Sequence, residues 1–233
     1  MLRQLKIELN KNCDKNKARI MRGFFKTGKG EYGEKDIFLG IPVPLQRKIA
    51  SRYIKISASQ LENLIRSKYH EYRSVALIIL TEKYKLAQGD QKERIFRFYV
   101  KNIYWVNSWD LVDLSAPKIV GGFLSDKNKD FLYKFATSKD MWVRRISIVS
   151  TLHFVRKGNF KDALKISEML LDDENDLTQK AVGWVLREVG KKDKQVLESF
   201  LGRNYDKLAR TTLRYAIERF SIKERKKWLN LKR

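Results

Sequence analysis

Residues 175–190 read NDLTQKAVGWVLREVG, and their periodicity decides the fold. On a wheel of about 100° per residue, Val182, Val185, Leu186 and Val189 share one side and predict a core-facing stripe. Trp184 falls nearly opposite, with Lys180, Arg187, Glu188 and Lys191 as its helical neighbours. The segment is therefore an amphipathic helix with a large indole on a charged, mainly basic face. Such a helix cannot bury its stripe alone and needs neighbours of the same kind.

The same recurrence of apolar residues at three- and four-residue spacings runs through nearly the whole chain, which holds only three prolines. No alternating, strand-like segment is bounded by turn signals. The pattern predicts helices over 59–67 (opened by a Ser59/Glu62 capping box), 71–87, 91–101, 108–124 with a break at Pro117, 128–137, 139–156, 160–171, 175–190, 194–201 and 205–220. The basic KERKKWLNLKR, 223–233, reads as the end of the last helix. Residues 27–44 gather four glycines and two prolines and read as one ordered loop. Second helices of successive pairs begin about every 30 to 37 residues, a helical-repeat period. The expected architecture is all-α: HEAT-like helical repeats, residues 1–233 as one domain, stacked into a curved solenoid with a basic concave face.

Charge narrows the partner. Fifty Lys and Arg against 27 Asp and Glu give a formal net charge of +23 over 233 residues. A field of that sign attracts polyanions, nucleic acid before an anionic membrane surface; a merely solvated basic surface is the plain alternative. The longest apolar run, Val75–Leu80, is too short to span a bilayer. Cys13 is the only cysteine, and His70 and His153 are the only histidines. That inventory argues against a disulfide scaffold, a metal site and His-based catalysis. No cofactor is implied. The opening MLRQLKIELNKN lacks the apolar core of a secretory signal, and a cytoplasmic location is the expectation.

The segment 108–115 repeats the logic of 175–190. Leu111 and Leu114 share one face; Trp109 and Asp113, four residues apart, stand one above the other on another. Asp110 suits the ordinary part of an acid at a helix N-terminus. Between these helices lies the pair Arg144–Arg145, on a segment apolar almost all round, so periodicity does not say which arginine faces outward. Trp109, Asp113, an arginine and Trp184 come from second helices of three consecutive repeats, which a concave surface would bring together.

With those residues in place, the chain resembles the AlkD-like DNA alkylation repair glycosylases, a HEAT-like repeat family. WVNSWDLVDLSAP (105–117) is similar to the family's Trp–Asp segment, WVRRISIV (142–149) to its arginine segment, and QKAVGWVLREVGK (179–191) to its second-tryptophan segment. FLGIPVPLQRK (38–48) resembles its N-terminal motif. The resemblance implies that Asp113 is the catalytic carboxylate and that Trp109 and Trp184 are aromatic walls contacting the lesion's deoxyribose. It implies DNA contacts by Arg145 and Arg187, and more weakly by Arg47 and Arg214, with Lys180 on the same basic face as Trp184. The activity implied is removal of cationic N3- and N7-alkylated purines from double-stranded DNA by a monomer. The competing expectation is a non-catalytic HEAT-type scaffold for nucleic acid or protein.

Overall fold

The computed structural model describes residues 1–34 and 36–231. Lys35, and the Lys232 and Arg233 that end the predicted basic helix terminus, lie outside the described residues. The described residues are helical and contain no strand; one isolated parallel bridge joins Ile37 to Tyr69. The helical-repeat class expected from the periodicity is what the chain adopts. It divides into two compact units, Met1–Ser115 and Ala116–Arg233.

The first unit carries α1 (Leu2–Lys11), α2 (Lys15–Phe24), α3 (Val43–Arg52), α4 (Ala58–Ile65), α5 (His70–Leu86), α6 (Asp90–Lys101) and α7 (Trp109–Ala116), the last running one residue beyond it. The central element is α5, which packs against α3, α4 and α6. Its run Val75–Leu80 is apolar all round and wholly inside, as expected of a helix with neighbours on several sides. Each Val, Leu and Ile in it contributes about 1.5–3 kcal/mol on burial.

The last part of the loop before α3, residues 39–41, is tied to α5 by one side chain. Glu71, fully buried, accepts hydrogen bonds from the backbone N–H groups of Leu39 (2.9 Å), Gly40 (2.8 Å) and Ile41 (3.3 Å). Gly40 sits at φ +82°, and a Cβ there would meet the Asp14 carbonyl oxygen at 2.1 Å, so only glycine fits. Pro42 then caps α3, with Pro44 in its first turn, where a missing N–H costs nothing.

The second unit opens with a π-helical turn, Pro117–Gly121. There follow α8 (Asp130–Ala136), α9 (Met141–Ser150), α10 (Leu152–Arg156), α11 (Lys161–Met169), α12 (Asp176–Lys192), α13 (Lys194–Asn204), α14 (Arg210–Ala216) and α15 (Ile222–Asn230). α8 packs on α9, α11 on α12 and α13 on α12. The helices α9, α12 and α14 pack one upon the next, which is the repeat read from the sequence.

Several predicted boundaries move, each for a local reason. The box opening α4 is Ser57 with Gln60, two residues before the predicted Ser59/Glu62; Glu62 pairs instead with Arg66 (2.6 Å) and Lys101 (3.0 Å). Predicted helix 139–156 is broken at Thr151. There Ser150 and Thr151 hydroxyls donate to the Ile146 and Ile148 carbonyls and compete with the helical ladder. α12 does not stop at Gly190; that glycine lets the Leu197 side chain lie against the helix, and α12 runs on to Lys192. Predicted helix 205–220 begins as a 3-10 turn and ends early, because a Ser221/Glu224 capping box starts α15 as a helix of its own.

Candidate active site

In the first unit the site is built on α7. Leu111 and Val112 are fully buried and seat the helix, while Leu114, predicted to share that role with Leu111, is only half-buried. Trp109 and Asp113 lie a turn apart and both are partly exposed. Asp113 is close enough to the buried Tyr99 for its charge to act on that phenol. Burial raises the phenol's pKa, a hydrogen bond with Ser115 opposes the rise, and Asp113 adds to it.

Trp109, placed by its spacing on a face apart from Leu111, packs there against other aromatic rings. Its indole stacks on Phe25 (5.2 Å between ring centres, 10° between planes) and meets the edge of Phe24 (5.7 Å, 74°). Phe25 stacks on Phe38 (4.9 Å), and Phe38 stacks on the His70 ring (4.5 Å). Phe25 also lies 5.0 Å from the His70 ring, so Phe25 (just past the end of α2), Phe38 (loop) and His70 (α5) form a triangle of rings, and Trp109 (α7) stacks on its Phe25 corner. Such offset stacks are worth roughly 0.5–1.5 kcal/mol per pair beyond simple burial.

The His70 corner meets a charge cluster. His70, only 3% exposed, places Nδ1 2.9 Å from Asp36 and Nε2 2.8 Å from Asp110. Arg73, also buried, reaches the same Asp36 oxygen at 2.6 Å and bonds the Ser67 carbonyl at 2.9 Å. Burial alone would strip the proton from His70. The charge and hydrogen bond of Asp110, with the bond to Asp36, outweigh burial and the repulsion of Arg73, and the pKa rises from 6.5 to about 9. Burial likewise opposes the charge of Asp110, but His70 and the Ser108 hydroxyl (2.7 Å) hold it below the usual carboxylate range. Asp110 does occupy the first turn of α7, as expected, and has a specific partner as well.

Sequence reading missed Phe24, Phe25, Phe38, His70, Asp36 and Arg73. His70 and its partners are 34 and 40 residues apart in sequence, so no local spacing links them. The one available signal was the aromatic flanking of the glycine-rich loop, FF before it and DIF within it. Arg47, on α3 in this unit, is exposed.

In the second unit α12 matches its wheel. Val182, Val185, Leu186 and Val189 are fully buried, and Trp184 is partly exposed. Gly183 lets α14 approach: a Cβ there would meet Tyr215 Cβ at 2.5 Å and the Thr212 carbonyl oxygen at 2.6 Å. Lys180 pairs with Asp176 (2.5 Å), and Arg187 is held by Glu218 and lies 3.6 Å from Glu188. Arg214 on α14 is exposed. Of the arginine pair left open by periodicity, Arg144 forks onto Asp173 (2.6 and 3.2 Å). Arg145 is 5% exposed and donates to the Leu177 carbonyl. Among the cations singled out from the sequence, Arg47 and Arg214 are thus the ones that project into solvent.

A family model described as DNA alkylation repair enzyme matches residues 5–220. No curated protein matches the chain. Among solved structures, a predicted DNA alkylation repair enzyme from Enterococcus faecalis is similar at 19% identity and a TM-score of 0.71, covering 91% of this chain and 98% of its own. That likeness concerns the fold. The family match reaches across both units and takes in the Trp109–Asp113 helix and α12 alike: the chain belongs to the DNA alkylation repair enzymes.

Proposed function

We propose that the chain is a monofunctional DNA glycosylase, acting as a monomer, that hydrolyses the N-glycosidic bond of cationic N3- and N7-alkylated purines in double-stranded DNA and so initiates base excision repair. The observation that carries the reading is on α7: a partly exposed carboxylate, Asp113, one turn from an indole that stacks on Phe25.

The bond breaks through an oxocarbenium-like sugar cation, as in glycoside hydrolysis. Most such reactions need a general acid because the leaving atom must be protonated. A purine alkylated at N3 or N7 already carries a positive charge and leaves neutral. One fixed carboxylate then suffices: Asp113 stabilises the sugar cation and orients the attacking water, a preorganised charge of the kind that lowers barriers by a few kcal/mol. Trp109 adds cation–π attraction of roughly 0.5–2 kcal/mol. On this reading Trp184, Lys180, Arg187, Arg214 and Arg145 in the second unit and Arg47 in the first serve the DNA, directly where exposed and by shaping the surface where paired or buried.

The test compares single-turnover base release from otherwise identical duplexes carrying 7-methylguanine, 3-methyladenine, hypoxanthine or uracil. The cationic bases are expected to leave readily and the neutral ones slowly or not at all; each tenfold preference needs only about 1.4 kcal/mol of barrier difference. Equal release of hypoxanthine and 7-methylguanine would mean that a protonating group takes part and that the single-carboxylate mechanism is wrong. Tight duplex binding with no release of any base would leave a non-catalytic scaffold.

A further inference from the structure

Two separate paths connect His70 to Trp109. One runs through the rings: His70 stacks on Phe38 and lies tilted against Phe25, and Phe25 stacks on the indole. The other runs through the ring edge, Nε2 to the Asp110 carboxylate, whose residue is covalently next to Trp109. The two paths close a circuit around the start of α7. Ionised carboxylates only accept hydrogen bonds, so the ring contacts to Asp36 and Asp110 are both hydrogen bonds only when both ring nitrogens carry a proton. A neutral ring would turn a lone pair toward one of them.

We infer that His70, as an imidazolium clamped between Asp36 and Asp110, is a positioning residue that fixes the indole plane of Trp109 and the first turn of α7, making the site sensitive to the proton on a side chain that touches no substrate. The inference rests on the reading of Trp109 and Asp113 as the substrate-facing pair. The charged groups facing the ring are Asp36 from the loop, Arg73 from its own helix and Asp110 from α7, with uncharged Phe25 and Phe38 against its plane.

The pH dependence follows from the sign of the shift. The folded-state pKa of about 9 lies above the ordinary 6.5. The clamp's contribution is therefore complete below 6.5 and is lost as pH rises through about 9. Misplacing a wall of the site by a fraction of an ångström is enough to cost on the order of tenfold in rate.

With only two histidines, the ring signals of nitrogen-labelled protein are readily assigned by a His153→Gln variant. The expected result is a His70 midpoint well above the ordinary value, with the Trp109 indole N–H signal, assigned by Trp109→Phe, moving at the same midpoint. Single-turnover release of 7-methylguanine is expected to fall along the same curve. In His70→Gln, release should drop on the order of tenfold and lose that inflection. Asp110→Asn is the second variant, in case the first fails to fold, and should lower the His70 midpoint. The inference is overturned if His70 titrates at its ordinary value, or if the indole signal or the release rate stays flat through the titration. If no variant, wild type included, releases base while the indole still follows His70, the clamp stands and the glycosylase reading falls.

Discussion

At the scale of single residues, Asp113 and Trp184 carry the sharpest expectations. Asp113→Asn keeps the size of the side chain and removes its charge. The loss should fall on the transition state and not on DNA binding. Single-turnover release is expected to drop by at least about a hundredfold, with duplex affinity by anisotropy within twofold of wild type. Unchanged release would remove Asp113 from the mechanism. Trp184→Ala is expected to lower release while costing clearly less than the roughly 3–5 kcal/mol of a core aromatic truncation, because the indole is partly exposed and its helix is seated by Val182, Val185, Leu186 and Val189. Urea unfolding of the variant checks this. The placement of Trp184 was legible because one helix fixes both the indole and its stripe. The support of Trp109 was not, because stacking on Phe25, itself stacked on Phe38, joins residues that no helical period relates. The burial of Arg145 was equally hidden: on a helix apolar all round, the partner at Leu177 lies 32 residues away.

At the scale of elements, the existence of most helices was readable and their ends were not. Apolar periodicity is a property of the whole segment, whereas an end turns on one or two polar contacts. Ser57/Gln60 and Ser59/Glu62 compete for the start of α4 on nearly equal terms, and the choice follows from Glu62 having cations to pair with. The glycine-rich loop read at 27–44 is present among the described residues, though Val43 and Pro44 already open α3, and its anchor was not legible. Glu71 looks like any acid in the first turn of a helix, yet it takes three backbone donors. Glu71→Ala would strand those donors in the interior and is expected to destabilise the protein by about 3 kcal/mol or more. Glu71→Gln, which retains an acceptor oxygen, should cost less. The two midpoints in urea decide it, and equal, negligible shifts would show the loop to be held by other contacts.

At the scale of the whole molecule, a net charge of +23 dictates how binding responds to salt. Log affinity for duplex DNA is expected to fall linearly with log salt. Arg214, exposed, is expected to account for about one phosphate, so Arg214→Ala should shallow the slope by about one unit. Arg187 shares its charge with Glu188 and Glu218, and its removal should change the slope less. Equal effects of the two, measured by titration at several ionic strengths, would mean that DNA displaces those carboxylates. The partner's sign was legible from composition alone. Which cations meet it was not, because internal ion pairing depends on neighbours 30 or more residues away, as with Glu218.

The Glu71 anchor also bears on how the first unit breathes. The amide protons of Leu39, Gly40 and Ile41 lie outside any helix, yet their acceptor is a fully buried carboxylate on the central one. In heavy water they take up deuterium when their bonds to Glu71 break, by an opening between the loop and the start of α5. These three positions should therefore form a slow-exchanging island outside the helices, and Phe38, beside them and packed against His70, is expected to open with them.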